Sequence, residues 1–136
     1  MNDASLHTPG KGLNIGLWVV QALLALAFLG AASGKLLGQP EMVGLFEAIG
    51  IGQWFRYVTA LVEISGALML LVPRTRIVGA ILLAGTMLGA VGTHLFVLHN
   101  APTAPTVLLA LLSFVIWGRR AELSRLLDQR RRIRRE

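Results

Sequence analysis

Residues 54–72 read WFRYVTALVEISGALMLLV, an apolar run of the length that crosses a membrane, with one carboxylate, Glu63, at its centre. An ionised carboxylate at the middle of a bilayer costs several kcal/mol or more. It persists only where it faces a bundle interior, finds a partner or takes up a proton. Two further ionisable residues interrupt neighbouring apolar runs, Lys35 in the first and His94 in the third. The function of the chain is therefore largely a question about these three groups.

Composition sets the class. The 136 residues are 54% apolar and 15% charged, too apolar for an ordinary soluble domain. Charge is also segregated, since eight of the thirteen Lys and Arg residues are arginines after Trp117. The pattern divides the chain into an N-terminal cytoplasmic segment (1–12), a transmembrane domain (13–118) and a basic cytoplasmic tail (119–136). There is no cysteine, which excludes disulfides, thiolate metal sites and thiol redox chemistry in this chain. Lys11 ahead of the first apolar run has the flavour of a signal peptide. That run, Leu13–Leu37, is too long for a typical signal core and is followed by more apolar segments, so a retained helix is expected.

A hydrocarbon core of about 30 Å needs roughly twenty apolar residues per helix. Leu13–Leu37, Trp54–Val72 and Ile77–Leu98 meet that length. The shorter Ala104–Trp117 spans if Pro102 or Pro105 occupies its first turn and Trp117 anchors at the interface. The expected fold is an all-α, four-transmembrane-helix bundle. The Pro73-Arg74-Thr75-Arg76 turn, Lys11 and the arginine tail lie on one side, and the loop with Glu41 and Glu47 on the other. The positive-inside rule then places both termini in the cytoplasm. In the first outer loop, Met42, Leu45, Phe46 and Ile49 recur at helical spacing between Pro40 and Gly50, predicting a short interfacial or capping helix.

Each long helix carries a polar or small stripe at intervals of three, four or seven. These are Gln21, Phe28 and Lys35; Arg56, Thr59, Glu63 and Gly66; Met87, Ala90 and His94, flanked by Thr86 and Thr93; and Thr106, Ala110, Ser113 and Trp117. Turned inward, they form a polar line inside an apolar shell. Depth places Lys35, Arg56 and His94 near the outer end and Glu63 near mid-membrane, so Glu63 is within reach of any of the three from above. The expected polar site in the outer half comprises Lys35, Arg56, Thr59, Glu63, Thr93 and His94, with Glu63 the candidate catalytic residue. Competing readings stay open: Lys35 and Arg56 as snorkelling cations, His94 as an interhelical hydrogen-bonding residue, and Glu63–Lys35 as a packing ion pair. The pairs Gly30/Gly34 and Gly85/Gly89 read by default as helix-packing motifs.

His94 and His99 are five residues apart and do not share a helical face, so neither a metal site nor an axial haem pair is expected. No phosphate-binding loop, dinucleotide motif or nucleophile elbow is present. The tail places Leu123, Leu126, Leu127 and Ile133 among arginines, which fits an amphipathic helix on anionic lipid or, alternatively, a dock for a cytoplasmic partner. A nucleic-acid partner is not expected, because topology already accounts for the basic charge.

These features together resemble the DoxX-like family of small bacterial four-helix membrane proteins over about residues 15–118. The likeness rests on "FLGAASGKLLG", "RYVTALVEISGALMLLVPRTR" and "GAILLAGTMLGAVGTHLF". It implies the bacterial cytoplasmic membrane, with Lys35, Glu63 and His94 as family-typical polar residues. Some relatives are subunits of quinone-linked oxidoreductases, thiosulfate:quinone oxidoreductase among them, or join membrane complexes that respond to oxidative stress. The polar set and the resemblance together lead to the expectation of a redox-complex subunit that binds a quinone-like or other amphipathic small molecule. The alternatives are a structural or adaptor membrane protein with a packing ion pair, and a small transporter, which with four helices would need to be a homo-oligomer. The tail lies outside the likeness.

Overall fold

The computed structural model describes residues 9–136, so the first eight residues of the expected N-terminal segment lie outside it. The described chain is all-helical. Its elements are α1 (Lys11–Leu36), α2 (Pro40–Ile49), α3 (Trp54–Leu70), α4 (Arg76–Phe96), α5 (Thr103–Gly118) and α6 (Arg120–Arg135). The expected helices sit within a few residues of these bounds. The short α2 has Pro40 in its first turn and ends on Gly50 in the left-handed region, φ 82°. Pro105 falls in the first turn of α5, where its missing N–H leaves no bond unmade.

α1 packs on α3, α3 on α4, α4 on α5, and α5 closes back on α1. The core between them is apolar, built on Leu24, Phe28, Leu70, Leu83, Leu112 and Val115. α2 covers one end of this bundle; α6 leaves the other, which we call the tail end. α1 and α4 are long and apolar enough to cross a membrane. α3 and α5, of 17 and 16 residues, are shorter. All four turn large apolar side chains outward, among them Leu23, Leu26, Leu61, Leu88 and Val107. Exposure on that scale is an interaction surface.

The glycines divide into two kinds. A Cβ on Gly79 of α4 would lie 2.7 Å from Cβ of Met69 and 2.9 Å from the carbonyl oxygen of Gly66, and one on Gly66 would strike Leu83. These two residues let α3 and α4 touch at the tail end. Gly118 does the same for α5 against Leu17 of α1. Gly85 and Gly89, expected to be a packing motif, meet nothing within 4 Å. No helix crosses them, so they do not serve packing within this chain.

Because backbone atoms cannot withdraw, Gly79→Ala should destabilise the fold by about 1–3 kcal/mol, read as a lower melting temperature in detergent. Gly30→Ala, in open space, should leave it unchanged or raise it slightly through helix propensity. Equal melting temperatures for both variants would contradict the close approach.

Candidate functional site

The carboxylate of Glu63 meets Lys35. Nζ donates to Oε1 at 2.8 Å and to Oε2 at 3.1 Å, and both side chains are buried. Helix geometry prepares this contact. Gln21, Phe28 and Lys35 are all buried along one face of α1, and Arg56, Glu63 and Gly66 along one face of α3. The two stripes lie on the faces by which α1 and α3 pack, so the pair bridges them.

Arg56 neither reaches out to headgroups nor pairs with Glu63. It is buried, donates through Nη1 to the backbone carbonyl of Lys35 and through Nε to Oε1 of Gln53 at 2.9 Å, and stacks on Tyr57. Gln53 in turn donates to the carbonyl of Val43 on α2 at 3.1 Å. The guanidinium therefore caps the C-terminal end of α1 and, through Gln53, ties α2 to the bundle. A cation at a helix C-terminus answers both the unpaired carbonyls and the dipole.

Beside the ion pair lies a cavity of about 490 Å³. Phe28, Ala31 and Lys35 line it from α1, Thr59, Val62 and Glu63 from α3, Met87, Thr93 and His94 from α4, and Pro105 and Leu108 from α5. Met42, Leu45, Phe46 and Ile49 of α2 close its end. Most of this wall is apolar. Thr59 and Thr93 donate their hydroxyls to the carbonyls of Phe55 and Gly89, each at 2.9 Å, which leaves each oxygen able to accept. His94 is half-buried and shares a 2.7 Å hydrogen bond between Nδ1 and Oδ1 of Asn100. With the proton on Nδ1, Nε2 of the neutral ring is an acceptor. Of the six expected site residues, five line the cavity; Arg56 stands behind it. Among the described residues no cluster of three metal-ligating side chains occurs.

The fourth stripe was misplaced. Thr106, Ala110, Ser113 and Trp117 are exposed, and α5 buries Pro105, Leu112, Val115 and Gly118 instead. Ser113 satisfies its own hydroxyl on the carbonyl of Leu109 at 2.8 Å, so it exerts no pull toward the interior.

A second polar cluster, at the tail end, was not foreseen. Arg119, expected in the solvated tail, is 2% exposed. Its Nε donates to Oε1 of Gln21 at 3.1 Å and its Nη1 to Oδ1 of Asn14 at 2.6 Å. Gln21 Nε2 donates onward to the carbonyl of Leu70 at 2.7 Å, closing the end of α3. Arg76 forms an ion pair with Glu122, Nε donating to Oε1 at 2.8 Å, and both Arg76 and Arg119 lie over the ring of Trp18. Burial lowers the pKa of Arg119 from the usual guanidinium value; the Arg76 charge adds to this and Glu122 opposes it. The available signal was periodic: the seven-residue stripe of Gln21, Phe28 and Lys35 continues backward to Asn14.

The sequence model of the DoxX-like family matches residues 19–116. The chain belongs to the DoxX-like family. That match contains α3, α4 and both ion-pair residues, and stops short of Arg119 and α6. The family is membrane-associated, in keeping with two helices long and apolar enough to cross a bilayer. No curated protein and no solved structure matches the chain significantly.

Removing one partner of a buried pair strands the other charge, at about 3–5 kcal/mol, whereas replacing both by apolar groups is often near neutral. Lys35→Met should therefore lower the melting temperature strongly, and Lys35→Met combined with Glu63→Leu should recover most of the loss. Additive losses in the double variant would show that the two side chains are not coupled.

Proposed function

We propose that the protein is a multi-pass subunit of a membrane redox system, binding a quinone-like amphipathic molecule in the cavity at the α2 end. The observation that carries this reading is a mostly apolar cavity of about 490 Å³ with a buried Lys35–Glu63 pair and His94 in its wall. Such a lining suits a ligand with a large apolar body and a few oxygen atoms. A ligand oxygen near Lys35 Nζ would compete with Glu63 for its N–H groups. Glu63, loosened from the pair, is then the nearest acceptor for a proton, with His94 tuning the local charge.

In this reading all four long helices cross the bilayer. Leucine, valine and phenylalanine exposed around the whole bundle support it, as do the cations gathered at the tail end, Arg74, Arg76 and Arg120, against Glu41 and Glu47 at the other. By the positive-inside rule the tail end is cytoplasmic, and the cavity lies in the outer half of the bacterial cytoplasmic membrane. The exposed arginines of α6 then lie near anionic inner-leaflet headgroups, at about 1 kcal/mol for each close contact.

A second reading has its own support. The Lys35 and Glu63 side chains are only 9% and 3% exposed, as expected of a pair that fixes helix packing and binds nothing. One experiment separates the two. Wild type and Glu63→Gln, reconstituted in nanodiscs, are titrated with a ubiquinone analogue, and bound lipophiles are extracted from the purified protein. The proposal expects quinone bound to wild type and a loss of about tenfold or more in affinity for the variant. No binding, with a lowered melting temperature for Glu63→Gln, would leave the packing role alone standing.

The chain has no cysteine, so topology is directly testable by single substitution. An impermeant maleimide added to intact cells should label Glu41→Cys and spare Arg74→Cys. The reverse pattern would invert the orientation, and labelling of both would break the four-crossing assignment.

A further inference from the structure

We infer that the cavity opens sideways into the membrane, between α3 and α4, and that its ligand is a membrane-dissolved molecule whose polar head meets Lys35 and Glu63 while its apolar chain leaves through that gap. The inference rests on the cavity being the ligand site proposed above and adds the route of entry and the placement of head and chain.

The route along the bundle axis is covered at both ends. At one end α2 lies across the cavity with Phe46 4% exposed and packed edge-on to Phe55, ring centroids 5.8 Å apart. The bonds from Gln53 to Val43 and from Arg56 to Gln53 hold this cover down. At the other end the apolar core closes the bundle.

The side wall differs. Apart from Ala104 in the first turn of α5, the cavity-lining residues that are also exposed are Val58 on α3 and Gly85 and Gly89 on α4. A side chain on either glycine would meet nothing within 4 Å. The same two helices are in backbone contact at Gly66 and Gly79. They therefore touch near the tail end and part toward α2, and the missing side chains of Gly85 and Gly89 widen the gap. Gly85 is the tenth residue of the 21 in α4, so the opening begins near mid-helix, at hydrocarbon depth in a spanning bundle. The outer surface beside it is apolar, with Leu61 on α3 61% exposed and Leu88 on α4 60% exposed. A charged, water-soluble ligand would have to cross that surface, whereas an acyl or isoprenoid chain is at home on it.

The test uses the full chain in nanodiscs with two probes, a ubiquinone bearing a long isoprenoid chain and the same benzoquinone head without a chain. Variants are Gly89→Leu and the milder Gly89→Ala, with Gly30→Leu as the control in open space on α1. Because the Gly89 side chain would meet no neighbour, melting temperatures without added quinone should be no lower than wild type. Gly89→Leu should weaken the long-chain probe about tenfold or more, Gly89→Ala less, and the chainless head by under about threefold. Unchanged long-chain affinity, or equal losses for both probes, would overturn the sideways opening while leaving the ligand site intact. If wild type binds neither probe, the ligand reading itself fails and the opening with it.

Discussion

A carboxylate in the middle of an apolar helix has to be answered inside the bundle, and the rest of the architecture follows from how Lys35 answers Glu63. The contact fixes the rotation of α1 against α3. Once Lys35 faces inward, so does the residue seven before it, Phe28, and seven before that, Gln21, because a heptad step nearly closes two helical turns. The inward Gln21 then meets the end of α3 and the guanidinium of Arg119. One charge requirement near one end thus sets a polar contact at the other. Arg56 completes the arrangement by capping α1 at the residue that supplies the cation.

The two polar clusters are insulated from each other. Between them lie Leu24, Leu70, Leu83, Leu112 and Val115, all fully or almost fully buried. A water path through the single chain would have to open this packed layer, with a loss of burial of roughly 1.5–3 kcal/mol for each large side chain displaced. The cavity is accordingly a blind pocket.

The sequence was most legible where a requirement recurred along a helix. Glu63 demanded an interior, the α1 and α3 stripes pointed to a shared face, and the short α2 announced itself through Pro40, Gly50 and the spacing of Met42, Leu45, Phe46 and Ile49. It was least legible where a polar residue could satisfy itself. Ser113 bonds its own helix, so its presence on α5 carried no information about direction. Arg119 was hidden for a different reason. Seven more arginines follow it, and only its position at the joint between α5 and α6 brings it over Trp18 and back onto Asn14 and Gln21. Local spacing does not contain that juxtaposition; it depends on how α5 closes against α1.

The glycines carry this argument furthest, because the same residue type serves opposite ends. Gly66 and Gly79 have no side chain because another helix occupies the space; Gly85 and Gly89 have none and nothing occupies it. In a lipid environment association between helices relies on close packing, since acyl chains are as apolar as leucine. Where Gly85 and Gly89 line the cavity without side chains, that stretch of α4 therefore forgoes packing energy. A molecule seated in the cavity would supply the missing contacts, and anything that binds only the folded state stabilises it.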